Sequence, residues 1–268
     1  MQDGEAVMMT DKFGISLLHM PSDYPLPQLN GVFDAVELPG ALLNSSLSVN
    51  KLPPLFYFNG LMPGELTRDI AVHSTRIQAY FLQQMAVLLE SAGQLGAAGV
   101  VVNFGLESCF GDPARRRENI ALIRRLTADL LRTGQTLLLP VRIPFMPEAG
   151  DSAEPYLCFL NELMCPNIGF VLSVHPHELA GREFKPAEML HWLRFDTRMI
   201  HFVYEPETGN RLVSRLITPW TELRREFRLD LPCLVLPLMS RPETLEHELP
   251  ILKDLFSTFN TTNTTGGV

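Results

Sequence analysis

Ser173-Val-His175-Pro-His177-Glu178 follows directly on the apolar run Phe170 to Leu172. Two imidazoles and a carboxylate so close together can bind a metal, move protons or hold a polar ligand, since the same lone pairs serve all three tasks. They can also simply finish a loop. An abrupt change from apolar to polar is how a buried parallel strand reads where its C-terminal end opens into a site. The same change recurs along the chain. His19 closes Lys12–His19, Glu37 lies in Val32–Leu38, and Asn59 ends Leu55–Asn59. Asn103 and Glu107 accompany Val100–Phe104, and Arg142 ends Thr136–Arg142. Tyr204 and Glu205 end Met199–Tyr204, and Ser240 and Arg241 follow Leu231–Leu238. The segment bodies carry few such groups. A ring of donors and acceptors of this kind suits a small polyhydroxylated, carbohydrate-like ligand.

Each residue also has a purely structural reading. Glu37 can pair with Arg142 or a helix terminus. His19 stands before a proline-rich loop and reads equally as a packed histidine. Asn59 and Asn103 suit turns or caps. His175 and His177 flank Pro176 in a loop. Tyr204 and Glu205 are neighbours and face opposite sides, so at most one points into a shared site.

The elements that must position these groups alternate. Between the apolar segments, Ile77, Phe81, Met85, Leu88 and Ala92 recur on one helical face, with Gly93 and Gly96 at its exit. Asp112-Pro113 gives an N-cap followed by proline at the first helical position, and Gly134 ends the helix marked by Ile120, Ile123, Leu126 and Leu130. Ala153–Met164 reads as a further helix, followed by a short one near Pro186–Leu193, another from Thr218-Pro219 to about Phe227, and a last from Ser240 to about Phe256. Ala41–Lys51 is at most a poor helix, because Asn44, Ser45, Ser46 and Ser48 compete for backbone hydrogen bonds. Eight strand-like segments separated mostly by helices predict a (β/α)8 TIM barrel with rudimentary first two helices. A doubly wound open sheet is the runner-up. Residues 1–11 read as a flexible leader, 12–259 as the single barrel domain, and 260–268 as a Thr/Gly-rich tail.

Composition narrows the function. With 268 residues and 46% hydrophobic content the chain can bury a large core. A net charge of −8 argues against a nucleic-acid groove, which needs concentrated Lys and Arg. Arg115-Arg116-Arg117 and Arg124-Arg125 fall in a helical pattern and read as a solvated face. No apolar run approaches the roughly 18 residues of a membrane span. The acidic N-terminus does not resemble a signal peptide, so a cytoplasmic location is expected. Cys109, Cys158, Cys165 and Cys233 show neither C-x-x-C nor zinc spacing and read as free thiols. No glycine-rich phosphate motif follows any strand, which leaves phosphorylated and free sugars equally open. Homo-oligomerisation is open as well.

Gly14-Ile-Ser and Gly31-Val-Phe-Asp-Ala-Val-Glu37-Leu resemble the first two strands of the xylose-isomerase-like barrels. That superfamily comprises sugar-phosphate isomerases and epimerases and also the endonuclease IV-type repair enzymes. Ala92-Gly-Gln-Leu-Gly-Ala-Ala-Gly-Val-Val-Val is similar to its passage into strand four, and Gly169 to Gly181 to strand six with its loop. Ile200-His-Phe-Val-Tyr and the long loop to Trp220 are similar to strand seven. The resemblance implies a divalent metal such as Mn, Mg or Zn held by a strand-five Glu, a strand-six Asp, a His near strand six or seven, and a strand-eight Glu. Here Pro140, Ser173 and Pro237 occupy the carboxylate positions, and strand seven offers Val203 and Tyr204. Glu37 matches a family glutamate that lies outside the metal's direct ligands. The expectation is therefore a barrel without the family metal and without another cofactor. A shifted set using His175, His177 and Glu205 or Glu107 is the alternative.

Two functions follow. An isomerase or epimerase acting on a sugar or polyol derivative would use Glu37 or His175 as base and Arg142 to stabilise charge on an enolate. His19, Asn59, Asn103, Glu107, His177, Tyr204, Glu205 and Arg241 would contact the ligand. Alternatively the barrel has lost catalysis and binds a ligand or protein. Arg142→Ala or His175→Ala is expected to weaken ligand binding in a titration while leaving the melting temperature nearly unchanged. A collapse of melting temperature in both variants would mark them as structural residues.

Overall fold

The computed structural model describes residues 12–19, 26–45, 47–68, 70–105, 112–141, 154–174, 196–204, 233–237 and 250. Eight parallel strands form a closed barrel in sequence order: β1 (Phe13–Ser16), β2 (Ala35–Pro39), β3 (Leu55–Asn59), β4 (Gly99–Val101), β5 (Thr136–Val141), β6 (Ile168–Val174), β7 (Thr197–Tyr204) and β8 (Cys233–Pro237). Closure is made by β1 against β8, with Gly14 opposite Leu234. The expected (β/α)8 barrel is the observed one, and the open doubly wound sheet is not.

Alternation along each strand divides the core in two. Ala35, Tyr57, Val101, Leu138, Val171, Met199 and Leu234, one from each strand β2 to β8, form a cluster inside the barrel. Gly14 is the β1 member of this layer. A Cβ there would lie 2.3 Å from the Ala35 carbonyl oxygen and 2.3 Å from the Leu234 side chain. The layer has room for seven side chains and a backbone. The intervening residues, among them Ile15, Val36, Phe58, Val100, Leu139 and Phe170, face outward into a second and larger core. Both faces of the strands are covered, which is why they read as nearly continuous apolar runs.

Helices α2 and α3 provide much of the outer cover; the short α1 (Gly64–Thr67) precedes them. Helix α2 (Thr75–Gln94) buries Phe81, Met85, Leu89 and Ala92. Leu89 takes the buried place that the periodicity assigns to Leu88, a drift of one residue within the same face. Helix α3 (Pro113–Thr133) begins at Asp112, whose carboxylate accepts from the amides of Ala114 (3.0 Å) and Arg115 (3.2 Å). It ends at Gly134, which has φ 69° and donates its amide to the Leu130 carbonyl. Helix α4 (Glu154–Leu163) follows β5. After β2 there are two short 3-10 turns, Gly40–Asn44 and Val49–Lys51. The Ser45 hydroxyl donates to the Leu42 carbonyl at 2.7 Å, so a side chain of this segment does engage its own backbone.

Several boundaries differ from the sequence reading. The second strand starts at Ala35 because Leu29 to Phe33 form a turn, with the Val32 and Phe33 amides donating to the Leu29 carbonyl. The first strand ends at Ser16, and His19 lies beyond it in a turn. The sixth and seventh strands begin earlier than read, at Ile168 and Thr197. The expected leader, tail and helices near 186–193 and 218–227 lie outside the described residues, as does most of the last expected helix. No described helix is long and apolar enough to cross a membrane. Cys158 and Cys165 are free thiols.

Because Ala35 is held by the sheet, the clash at Gly14 has nowhere to go. Gly14→Ala is expected to destabilise the fold by about 1–3 kcal/mol, read as a lowered urea midpoint at unchanged slope.

Candidate functional site

Two residues beyond the apolar inner layer, toward the C-terminal ends of the strands, the inward positions turn polar. Ser16 follows Gly14, Glu37 follows Ala35, Asn59 follows Tyr57, Ser173 follows Val171, and His201 follows Met199. The strand pairing brings these together: Ser16 is opposite Glu37 on β1 and β2, and Ser173 is opposite His201 on β6 and β7.

Glu37 is the centre of the group. It has no exposed surface. The Ser16 hydroxyl donates a short hydrogen bond to its Oε2, and the Asn59 amide donates to its Oε1 at 2.9 Å. His201, 4% exposed, brings its Nε2 to 3.4 Å from Oε2. That distance allows an ion pair, and among the described residues the nitrogen makes no well-aligned hydrogen bond. Burial alone would raise the Glu37 carboxyl, but the contact with His201 and the hydrogen bonds from Ser16 and Asn59 outweigh it and hold it below its ordinary value. Tyr57, beside Glu37 in the sheet, lines the same interior; burial pushes its phenol up to about 12.

Of the residues singled out in the sequence, the structure unites Glu37 and Asn59. Asn59 holds the carboxylate and does not merely close a turn. Glu37 pairs with a histidine on β7, a partner absent from the sequence reading. His19 is exposed in its turn after β1. Asn103 is exposed, and its side chain accepts from the Gly105 amide at 2.9 Å, the turn role open to it. Tyr204 supplies the last residue of β7. Glu107, Arg142, His175, His177, Glu205 and Arg241 lie outside the described residues.

Sequence reasoning missed Ser16 because the first strand was read on to His19, and His201 because it lies inside its strand and not at the end. The available signal was alternation: in Met199-x-His201 the imidazole takes the face of an inward methionine. It corrects the strand-seven register, since the residue level with Ser173 is His201 and not Val203 or Tyr204.

Among the described residues the family metal finds few ligands. Pro140 and Ser173 stand on β5 and β6 where the resemblance implies carboxylates, and Pro237 stands on β8. Proline has no donor side chain. Among the described residues, no three His, Cys, Asp or Glu side chains are grouped to hold an ion. Glu37 and His201 alone do not make the oxygen-rich set that Mg or Mn prefers.

A carboxyl whose folded pKa is lowered contributes stability in full above its unfolded value, and that contribution fades as the pH falls through the folded one. Melting temperature is thus expected to drop below about pH 4.5, with Glu37→Gln flattening part of that acid limb. Glu37→Ala, which strands the buried Ser16 and His201 and the half-buried Asn59, is expected to cost about 3–5 kcal/mol at neutral pH.

No protein-family profile and no curated protein matches the chain. Solved structures do. A 3-keto-D-glucoside 4-epimerase from E. coli is similar at a TM-score of 0.63 and 14% identity, over 92% of this chain and 100% of that one. A D-psicose 3-epimerase crystallised in the presence of D-fructose is similar at 0.62 and 14%, over 90% and 89%. A xylose isomerase domain protein from Planctomyces limnophilus is similar at 0.59 and 15%, over 94% and 96%. At such identities the likeness speaks for architecture alone, and the chain shares the (β/α)8 barrel fold of these proteins.

Proposed function

We propose that this barrel is a divergent sugar isomerase/epimerase-like protein. It binds a small polyhydroxylated ligand at the C-terminal mouth and works without the family metal. The observation that carries this reading is the buried Glu37 carboxylate, fixed by Ser16 and Asn59 with His201 beside it. A barrel that needed only stability would fill this level with apolar side chains, as it does one layer below. A fixed array of hydroxyl, amide, carboxylate and imidazole suits ligand hydroxyls, which donate and accept at once. Similar folds belonging to a 3-keto-D-glucoside 4-epimerase and a D-psicose 3-epimerase give the sugar reading its support by analogy. From their places in the sequence alone, Arg142 is assigned here as the enolate stabiliser and His175 as a proton carrier, with His177, Glu107, Glu205 and Arg241 as ligand contacts.

One observation favours the second reading, a barrel that binds without turnover. Glu37, the sequence candidate for the base, is held below its ordinary pKa and is poorly matched to proton abstraction near neutral pH.

Metal analysis of the purified protein and thermal shifts against a panel of sugars, polyols and their phosphates test the proposal. The expected outcome is substoichiometric metal and a rise in melting temperature with one sugar class. Stoichiometric, tightly bound Mn or Zn would sink the metal-free claim. A sugar that stabilises the protein but is recovered unchanged would select the binding module.

A further inference from the structure

We infer that His201 is the proton carrier of this site and that Glu37 is its positioning residue. The inference rests on the sugar reading above and assigns the chemistry within it. Three observations carry it. His201 is inward-facing on β7, level with Ser173 and one step above the apolar layer containing Met199 and Leu234. Its Nε2 is buried and among the described residues makes no well-aligned hydrogen bond, although a carboxylate oxygen lies 3.4 Å away. That carboxylate is already committed on both oxygens, to Ser16 and to Asn59.

A histidine with only a packing role would donate a straight hydrogen bond to so close an acceptor, because an unpaired buried polar group is costly. Here the carboxylate is held by other donors and the imidazole stands beside it at 3.4 Å. A carboxylate oxygen 3.4 Å away stabilises the imidazolium that forms when the ring takes a proton. Glu37 need not change protonation state, so its lowered pKa suits the positioning role.

The step is a proton transfer from carbon. The neutral imidazole takes the proton from the carbon next to the ligand's carbonyl. The C–H bonding pair becomes the C=C bond of an enolate, and the carbonyl oxygen takes the negative charge. Reversal returns a proton from the imidazolium to carbon. In heavy water the imidazolium exchanges its proton with solvent, and the returned atom is deuterium.

The test uses the full chain in D2O with dihydroxyacetone, D-fructose and D-xylose, followed by proton NMR. The wild type is expected to speed exchange at the carbon beside the carbonyl of at least one of them. His201→Gln is expected to lower that rate about 100-fold, with KM little changed, and added imidazole to restore part of it in His201→Ala. A merely structural role would not give chemical rescue. Exchange within twofold of wild type in His201→Gln overturns the assignment. Sugar-induced stabilisation without wild-type exchange also overturns it while leaving the sugar-binding reading intact. Neither stabilisation nor exchange overturns both. Should the His201 variants fail to fold, Glu37→Gln decides: a kcat at least about tenfold lower at unchanged KM supports positioning, and an unchanged kcat overturns it.

Discussion

A carboxylate with no exposed surface must be compensated where it stands, and in this barrel the compensation of Glu37 comes from three other strands. At 3.4 Å the gross attraction to a charged His201 is about 5 kcal/mol at an effective dielectric of 20. Desolvating two ions costs several kcal/mol each, so the pair alone is close to neutral or unfavourable. Hydrogen bonds to a charged group contribute about 1.5–3 kcal/mol apiece, so Ser16 and Asn59 add to the effect of His201, which is the largest of those that hold the carboxyl down. The site is therefore a property of β1, β2, β3 and β7 taken together. No single strand could keep the carboxylate ionised.

The layer beneath is apolar apart from the Tyr57 phenol. The inner cluster below Glu37 and His201 excludes water from the barrel floor and leaves the polar groups facing the C-terminal mouth. Gly14 fits the same scheme, because its lack of a side chain admits Leu234 and the Ala35 backbone at the seam where β1 meets β8. The seam and the site adjoin, since Ser16 is two residues from Gly14 on one side and Leu234 pairs with His201 on the other.

Much of the architecture was legible in the sequence. The long helices announced themselves by period and by strong end signals, Asp112-Pro113 and Gly134, whose chemistry is local. The strands announced themselves as apolar runs, and the poor helix after β2 by its Asn and Ser content. The site was legible only in part. Glu37 and Asn59 could be picked out as polar residues ending or interrupting apolar runs. Their partners could not, because the Ser16 and His201 contacts depend on how the strands are staggered around a closed sheet. A single chain segment carries no record of that stagger. Strand edges slipped for a related reason: Val32 and Phe33 look like strand residues, and only the bonds back to Leu29 turn them away.

The joining of β1 to β8 also has a kinetic side. Partners from opposite ends of a chain meet late, because long loops must close before such contacts yield any gain. β1, β2 and β3 are made early in synthesis, with Ser16, Glu37 and Asn59 on them, while His201 and the closing strand emerge far later. Until then the Glu37 carboxylate has only Ser16, Asn59 and water to keep it ionised. Barrel closure is thus the event that dries the carboxylate and delivers its imidazole, so that formation of the site and completion of folding are one step.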